Sequence, residues 1–255
     1  MTIKKTKVMI HGISGRMGKE IESIFLTNSP RDLELIGGSS SETSKSELEN
    51  LIKSSDLIID FSAPSASIKL FDLLKDNNIT GKKILLCTTG LNDSDLSHIR
   101  KITTDLSLST LRAANTSLGV LVLYKTAVNL ASSLFTHGFD IELIETHHNQ
   151  KMDAPSGTAK FLAEGMSDAT GCKTQYSHPQ TEKRDSSVIG MHAVRGGGVY
   201  GEHEIRFISD VEEISISHRA LSRSLFAKGS IILSGLLKKK TAGFYEYGDL
   251  ELNDL

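Results

Sequence analysis

Lys7-Val-Met-Ile-His-Gly-Ile-Ser-Gly-Arg-Met-Gly18 decides the fold. The run 7–11 is apolar enough for a buried strand, and 19–26 carries Ile21, Ile24 and Phe25 at helical spacing. A strand, a glycine turn and a helix in that order form the context of a dinucleotide-binding turn. Gly12 permits the tight bend, Gly15 lets backbone N–H groups approach a pyrophosphate, and Gly18 allows close packing of helix on strand. The spacing is G-x-x-G-x-x-G, with Ser14 at the usual second glycine and Arg16 as a cation beside the phosphates.

Outward from this turn, strands and helices alternate. Strands are expected at 33–37, 56–61, 83–87 and 106–111, with helices over 65–77 and 93–101. That alternation predicts a doubly wound parallel sheet, whose ligands bind beyond the carboxyl ends of the strands. Ser62, Cys87-Thr88-Thr89 and Ala113-Ala114-Asn115 all fall at such ends. Cys87 reads as an inert small residue, since no base lies near it in sequence. The second strand ends in Ser39-Ser40-Ser41, where an Asp or Glu often holds the ribose. These hydroxyls, with Lys45, suit a 2′-phosphate, so NADH and NADPH both remain open.

The second half changes pattern. After a hinge at 115–119 comes a long helix over 120–134, then a strand over 140–145. That strand delivers Glu145-Thr-His-His-Asn-Gln-Lys-Met-Asp-Ala-Pro-Ser-Gly-Thr-Ala159. Histidine exchanges protons near neutral pH, Lys151 adds a fixed cation, and Pro155-Ser-Gly-Thr158 opens a helix over 159–166. A helix start has unpaired N–H groups and binds carboxylates or phosphates. Two histidines and a lysine alone would be solvated surface; the whole combination points to a site for a small carboxylated substrate. Strands at 187–194, 200–209 and 213–218 then suggest an open mixed or antiparallel sheet, one face of which can serve as an oligomer interface. The segment 195–199 reads as a flexible connection. His203, Ile205 and Phe207 share one strand face, with His203 as a packing or interface histidine. Arg223 precedes a last helix over 225–237 as a candidate anion binder, and 243–255 reads as a tail packed back on the first domain.

Bulk composition narrows the class. The 255 residues are 38% apolar and 24% charged with a net charge of −2, enough for a buried core but without the basic surface of a nucleic-acid binder. No uninterrupted apolar run approaches the roughly 20 residues of a membrane span, and the basic start at 1–7 is too short for a signal peptide. Two cysteines, Cys87 and Cys172, in no metal or redox spacing suit a reducing cytoplasm. No metal is expected: adjacent histidines are poorly placed to share one ion. A metal-dependent hydrolase using His147, His148 and Asp153 or Glu145 is therefore the weaker rival. A non-catalytic NAD(P)-binding module is the other.

The chain resembles the 4-hydroxy-tetrahydrodipicolinate reductase (dihydrodipicolinate reductase) family of lysine and diaminopimelate biosynthesis. The resemblance rests on Gly12-Ile-Ser-Gly-Arg-Met-Gly18, Ile59-Asp-Phe-Ser62, Thr88-Thr-Gly90, Asn115-Thr-Ser-Leu-Gly119, the His147 to Ala159 element, Gly201-Glu-His203 and Ser222-Arg223. It implies a Rossmann-like domain of residues 1–115 and 224–255, and a substrate-binding and oligomerisation domain of α+β type with an open mixed sheet, residues 116–223. It also implies NADH or NADPH as hydride donor, a dicarboxylate substrate and a homotetramer. His147 would be the proton donor, and Lys151 would bind a carboxylate and share in acid catalysis. His148, Gly157, Thr158 and Arg223 would contact substrate. Gly12, Ile13, Ser14, Gly15, Arg16, Met17, Cys87, Thr88, Thr89, Ala113, Ala114, Asn115 and Thr116 would touch the nucleotide. Closure about 115–119 would then bring the two ligands together. The chain departs from the family in its serine tract, in Cys87 for a glycine and in Thr116 for a phenylalanine. The short segment 37–57 is expected to lack elements found in longer relatives.

Overall fold

The computed structural model describes residues 4–28, 30–178 and 181–254. The first part of the basic start and the last residue of the tail lie outside these. The chain divides into two compact units, Met1–Ser117 with Ser224–Leu255, and Leu118–Arg223.

The first unit is a six-stranded parallel sheet in the order β11-β5-β4-β3-β1-β2. Its strands are β1 (Thr6–His11), β2 (Leu33–Ser39), β3 (Leu57–Asp60), β4 (Lys83–Leu86), β5 (Ser109–Arg112) and β11 (Gly243–Glu246). Val8, Met9 and Ile10, Leu57, Ile58 and Ile59, and Ile84, Leu85 and Leu86 are fully buried. Continuous burial on successive residues is what a parallel sheet with helices on its faces requires. The helices are α1 (Arg16–Thr27), α2 (Lys45–Ser54), α3 (Pro64–Asp76), α4 (Asp93–Asp105) and α7 (Ser224–Leu237).

Several expectations are refined here. Helix α2 lies in the short segment 37–57, to which no element was assigned from sequence; Ser44 and Glu47 close a capping box at its start. The fifth strand starts at Ser109, because Leu106 still caps α4. The tail packs back on the first unit as expected, and does so as a strand, β11, paired in register with β5 from Gly243↔Ser109 to Glu246↔Arg112.

The second unit is a five-stranded mixed sheet in the order β10-β9-β6-β8-β7. Strand β6 (Asp140–His147) runs parallel to β8 (Val188–Arg195) and antiparallel to β9 (Glu202–Ile208). Strand β10 (Glu213–Arg219) pairs with β9, and β7 (Lys173–Tyr176), which the hydropathy pattern did not announce, pairs with β8. Helices α5 (Leu118–Leu134) and α6 (Gly157–Thr170) supply Leu123, Ala127, Ala131, Leu162, Ala163 and Met166 to a core with Ile141, Leu143, Ile205 and Phe207 of the sheet. With its 3-10 extension α5 spans Leu118–His137 and is long and apolar enough to cross a membrane by length and composition, which the sequence reading did not expect. Here its buried stripe packs on the sheet.

Candidate active site

In the first unit the carboxyl ends of the strands are tied together by one buried carboxylate. Asp60 Oδ1 accepts the N–H of Ser62 at 2.9 Å and its hydroxyl at 2.6 Å, and Oδ2 accepts the Ser67 hydroxyl at 2.6 Å. Thr88 donates to Oδ1 at 3.1 Å. The loops after β3 and β4 are thereby held to each other. The glycine turn needs its glycines: a Cβ on Gly12, at φ +90, would lie 2.7 Å from the Phe61 carbonyl, and one on Gly18 would lie 2.4 Å from the Gly12 carbonyl. Gly15 caps α1 without a side-chain hydrogen bond. Ser14, Gly15 and Arg16 are exposed, so the first N–H groups of α1 face outward with a guanidinium beside them. That geometry fits a pyrophosphate.

The nucleotide contacts expected from sequence fare unequally. Ile13 and Met17 are half-buried beside this turn, and Thr89 and Ala114 are exposed at strand ends. Ala113 is buried. Thr116 is buried too, and its hydroxyl donates to the Phe226 carbonyl at 2.7 Å, so the side chain is not available to a ligand. Asn115 accepts the Ser117 N–H at 2.9 Å. Ser39, one of the proposed ribose or phosphate hydroxyls, is buried and lies 2.6 Å from His11 Nδ1. Ser41 and Lys45 are exposed. Cys87 is buried, and burial, with the nearby Asp60 charge, pushes its thiol well above its ordinary pKa, as an inert residue should be.

In the second unit, β6 ends in an alternating pattern that turns Glu145 and His147 to the same, helix-covered face. Glu145 Oε2 lies 2.5 Å from His147 Nδ1. The same carboxylate accepts the Ser156 N–H at 3.0 Å and two bonds from Arg195, Nη1 to Oε2 at 2.8 Å and Nη2 to Oε1 at 2.6 Å. Burial pushes the Glu145 carboxyl up, but the bonds from Arg195, His147 and Ser156 outweigh it and keep the group ionised below its ordinary value. Burial lowers the pKa of His147 from its ordinary value, and the bond and charge of Glu145 oppose that fall without cancelling it. Nδ1 faces Glu145, and Nε2 points the other way. A Cβ on Gly201, at φ +151, would lie 2.9 Å from it.

The loop after β6 is fastened to the segment expected to be a flexible connection. His148 N–H donates to the Val199 carbonyl at 2.8 Å, Asn149 N–H to Gly197 at 3.2 Å, and Gly196 N–H to His147 at 2.9 Å. Lys151 Nζ lies 2.8 Å from Asp153 Oδ1, and that contact holds the Asp153 carboxyl below its ordinary pKa. Ser156 caps α6 by accepting the Ala159 N–H at 3.1 Å. Helix α6 therefore starts at Gly157, two residues before the expected 159, and a Cβ on Gly157 would meet nothing within 4 Å. Its first turn, with Thr158 half-buried, is open to an anion. Arg223 is exposed, its guanidinium 6.0 Å from the Tyr200 ring centroid.

Two residues escaped the sequence reading. Arg195 falls at the start of the segment 195–199 expected to be a flexible connection, yet it ends β8 in register with His147 and clamps Glu145. His203, read as a packing histidine, is buried as expected. It also stands edge-on to His147, ring centroids 5.3 Å apart, with Nε2 at 3.2 Å from Ser156 Oγ. An arginine ending a strand next to a glycine run was the only available signal, and it is a weak one.

Comparison with known proteins bears on the family and the fold. Residues 6–116 match the family model described as dihydrodipicolinate reductase, N-terminus, and residues 119–250 the one described as dihydrodipicolinate reductase, C-terminus. The 4-hydroxy-tetrahydrodipicolinate reductase of Clostridium perfringens (strain 13 / Type A) is 36% identical over 258 residues, covering 97% of this chain and 99% of that protein. The protein of the same name from Zymomonas mobilis subsp. mobilis (strain ATCC 31821 / ZM4 / CP4) is 36% identical over 257 residues, covering 96% of each. Among solved structures, dipicolinate-bound dihydrodipicolinate reductase from Paenisporosarcina sp. TG-14 superposes with a TM-score of 0.78 over 96% of this chain and 100% of that one. At 24% identity that likeness speaks for the fold. The Rossmann-like unit and the family matches define an NAD(P)H-dependent oxidoreductase. Within that class, the chain belongs to the dihydrodipicolinate reductase family.

Proposed function

We propose that this chain reduces 4-hydroxy-tetrahydrodipicolinate to tetrahydrodipicolinate in lysine and diaminopimelate biosynthesis, with His147 as the proton donor. The observation that carries the assignment of roles is the Glu145–His147 pair beside Lys151 and the open start of α6. NADH or NADPH, when bound, supplies a hydride from C4 of its nicotinamide. The glycine turn, Arg16 and the loops at Thr88–Thr89 and Ala113–Asn115 hold and orient the nucleotide. Lys151, the N–H groups of Gly157 and Thr158, His148 and Arg223 hold the two substrate carboxylates and set the approach of the ring. Loss of water, from the 4-hydroxyl and a neighbouring ring hydrogen, leaves a conjugated C=C/C=N ring. His147 Nε2 delivers a proton to the carbon or enamine left once that ring has taken the hydride, a contribution of roughly 10²–10⁴-fold. Glu145 fixes the ring and favours the imidazolium. A dicarboxylate arriving beside His147 adds negative charge and offsets the effect of burial on its pKa.

The enzyme works in the cytoplasm, consistent with two buried free cysteines, and as a homotetramer. The test is an absorbance assay for loss of NADH and of NADPH with substrate, run beside binding of each nucleotide and of a planar pyridine dicarboxylate. Nucleotide binding without substrate-dependent oxidation of either cofactor overturns the reading.

A further inference from the structure

The face of the five-stranded sheet opposite Glu145 and His147 carries a second constellation that this reaction does not use. Because β6 alternates, Glu142 points away from Glu145 and His147. In the parallel register Glu142 stands beside Gly190 of β8. A Cβ on Gly190 would lie 2.0 Å from Glu142 Oε2, so the bare glycine is what lets the carboxylate lie across the neighbouring strand. His192, two residues further along β8 and on the same face, brings Nε2 to 2.7 Å from Glu142 Oε2. The third member comes from the sheet edge. After β7 the chain turns through Ser177 at φ +60, whose N–H is held by the Met191 carbonyl at 3.1 Å. That turn brings His178 Nε2 to 3.0 Å from Glu142 Oε1. One ligand atom each from Glu142, His178 and His192 lies within 4.8 Å of the other two.

Charge favours a cation here. Arg184 bonds Glu142 Oε1 through Nε at 2.8 Å and Asp140 Oδ1 through Nη1 at 2.6 Å. Two carboxylates against one guanidinium leave one uncompensated negative charge while the imidazoles are neutral. His178 Nδ1 is buried with no partner among the described residues. Without an ion the Glu142 carboxylate keeps the ring proton on Nε2; a cation that takes the Nε2 lone pair leaves the proton on Nδ1. The rings of His178 and His192 are 5.4 Å apart, centroid to centroid, and both aim Nε2 at one carboxyl group.

We propose that Glu142, His178 and His192 bind a divalent transition-metal cation, Zn2+ being best suited, through both Nε2 atoms and Glu142 Oε2 while Arg184 keeps Oε1. Two imidazoles and a carboxylate form a zinc-type donor set, with water completing four ligands. The ion joins β6, β8 and the segment after edge strand β7, and stabilises the folded chain by binding it in preference to the unfolded one. No residue of the set belongs to the candidate active site. The spacing of the three in sequence announces nothing, and the expectation of no metal rests on the adjacent His147 and His148 instead.

The test is titration of the metal-stripped full-length protein with Zn2+ against a chromophoric chelator, with thermal unfolding followed in parallel. The expected result is one equivalent per chain and a rise in Tm. The double variant His178→Gln/His192→Gln keeps side-chain N–H donors for Glu142. It should bind at least about tenfold more weakly and lose the Tm rise while retaining reductase activity. Absence of a stoichiometric site in the native protein, or equal binding by the double variant, overturns the proposal. Should that variant fail to fold, the visible spectrum of the native protein with Co2+ decides: intense tetrahedral bands support the site, and only weak octahedral absorption overturns it.

Discussion

Glu145 Oε2 and His147 Nδ1 lie 2.5 Å apart on one face of β6, two residues apart in sequence. The strand's period of two supplies that pairing without any help from a turn or loop. The carboxylate is buried, and Arg195 and the Ser156 N–H satisfy its remaining lone pairs. A histidine anchored this way is fixed in orientation, with Nε2 directed at the side of Gly201 where a Cβ would stand.

Replacing His147 with glutamine keeps the size of the side chain and removes the titrating nitrogen. The expected result is a kcat at least about tenfold lower with a modest change in KM. Steady-state kinetics with saturating nucleotide measures it, and near-normal kcat removes His147 as the proton donor.

Glu145→Gln bears on the pH dependence. Burial lowers the pKa of His147, and Glu145 is the group that raises it. As an acid, His147 works in its protonated form, so kcat/KM falls as pH rises through its pKa. Removing the Glu145 charge moves that falling limb to lower pH and reduces kcat near neutrality. A limb unmoved in the variant would mean that another group sets the profile.

Lys151→Ala removes the cation next to Asp153. If Lys151 holds a substrate carboxylate, KM for substrate rises and kcat falls, while nucleotide binding stays at its native level. Isothermal titration with the pyridine dicarboxylate separates the two effects; unaltered affinity for that mimic would remove the carboxylate-binding role.

His203 makes stability depend on pH. Burial, assisted by the positive charges of His147, His218 and Lys151 and opposed by Glu145, lowers its pKa to about 3 from an ordinary 6.5. Between those values the unfolded chain binds a proton that the folded chain does not. Stability is therefore complete above the ordinary histidine pKa and falls as pH drops below it, by roughly 1.4 kcal/mol per unit from this group. His147 and His218, also lowered, act in the same direction. Denaturant unfolding over a pH series should show a shallower slope for His203→Gln than for the native protein; equal slopes would place the proton uptake elsewhere.

Local pattern made most of the first unit legible. Strands β1, β3 and β4 are short apolar runs next to turn residues, and α1 and α3 carry helical spacing, so nearest-neighbour sequence contains their signal. Helix α2 carried a readable one as well, the Ser44-x-x-Glu47 capping box, but its polar surface hides the period. Strands β7 and β11 carried none. Lys173–Tyr176 is mostly exposed at a sheet edge, and Gly243–Glu246 becomes a strand only because β5 offers its free edge.

The site divides along the same line. Sequence by itself determined the alternation that makes the nucleotide unit, the glycines that only a tight turn explains, and the His147 to Thr158 element. Each of these is read from residues that are close neighbours along the chain. Tertiary structure alone decided that Arg195 clamps Glu145 from 50 positions away, that Thr116 and Ser39 turn inward, and that Asp60 binds two loops together. It also decided that Glu142, His178 and His192 converge. Those contacts depend on strand register and on which face a side chain takes, and both are set by packing across the sheet rather than by neighbours along the chain.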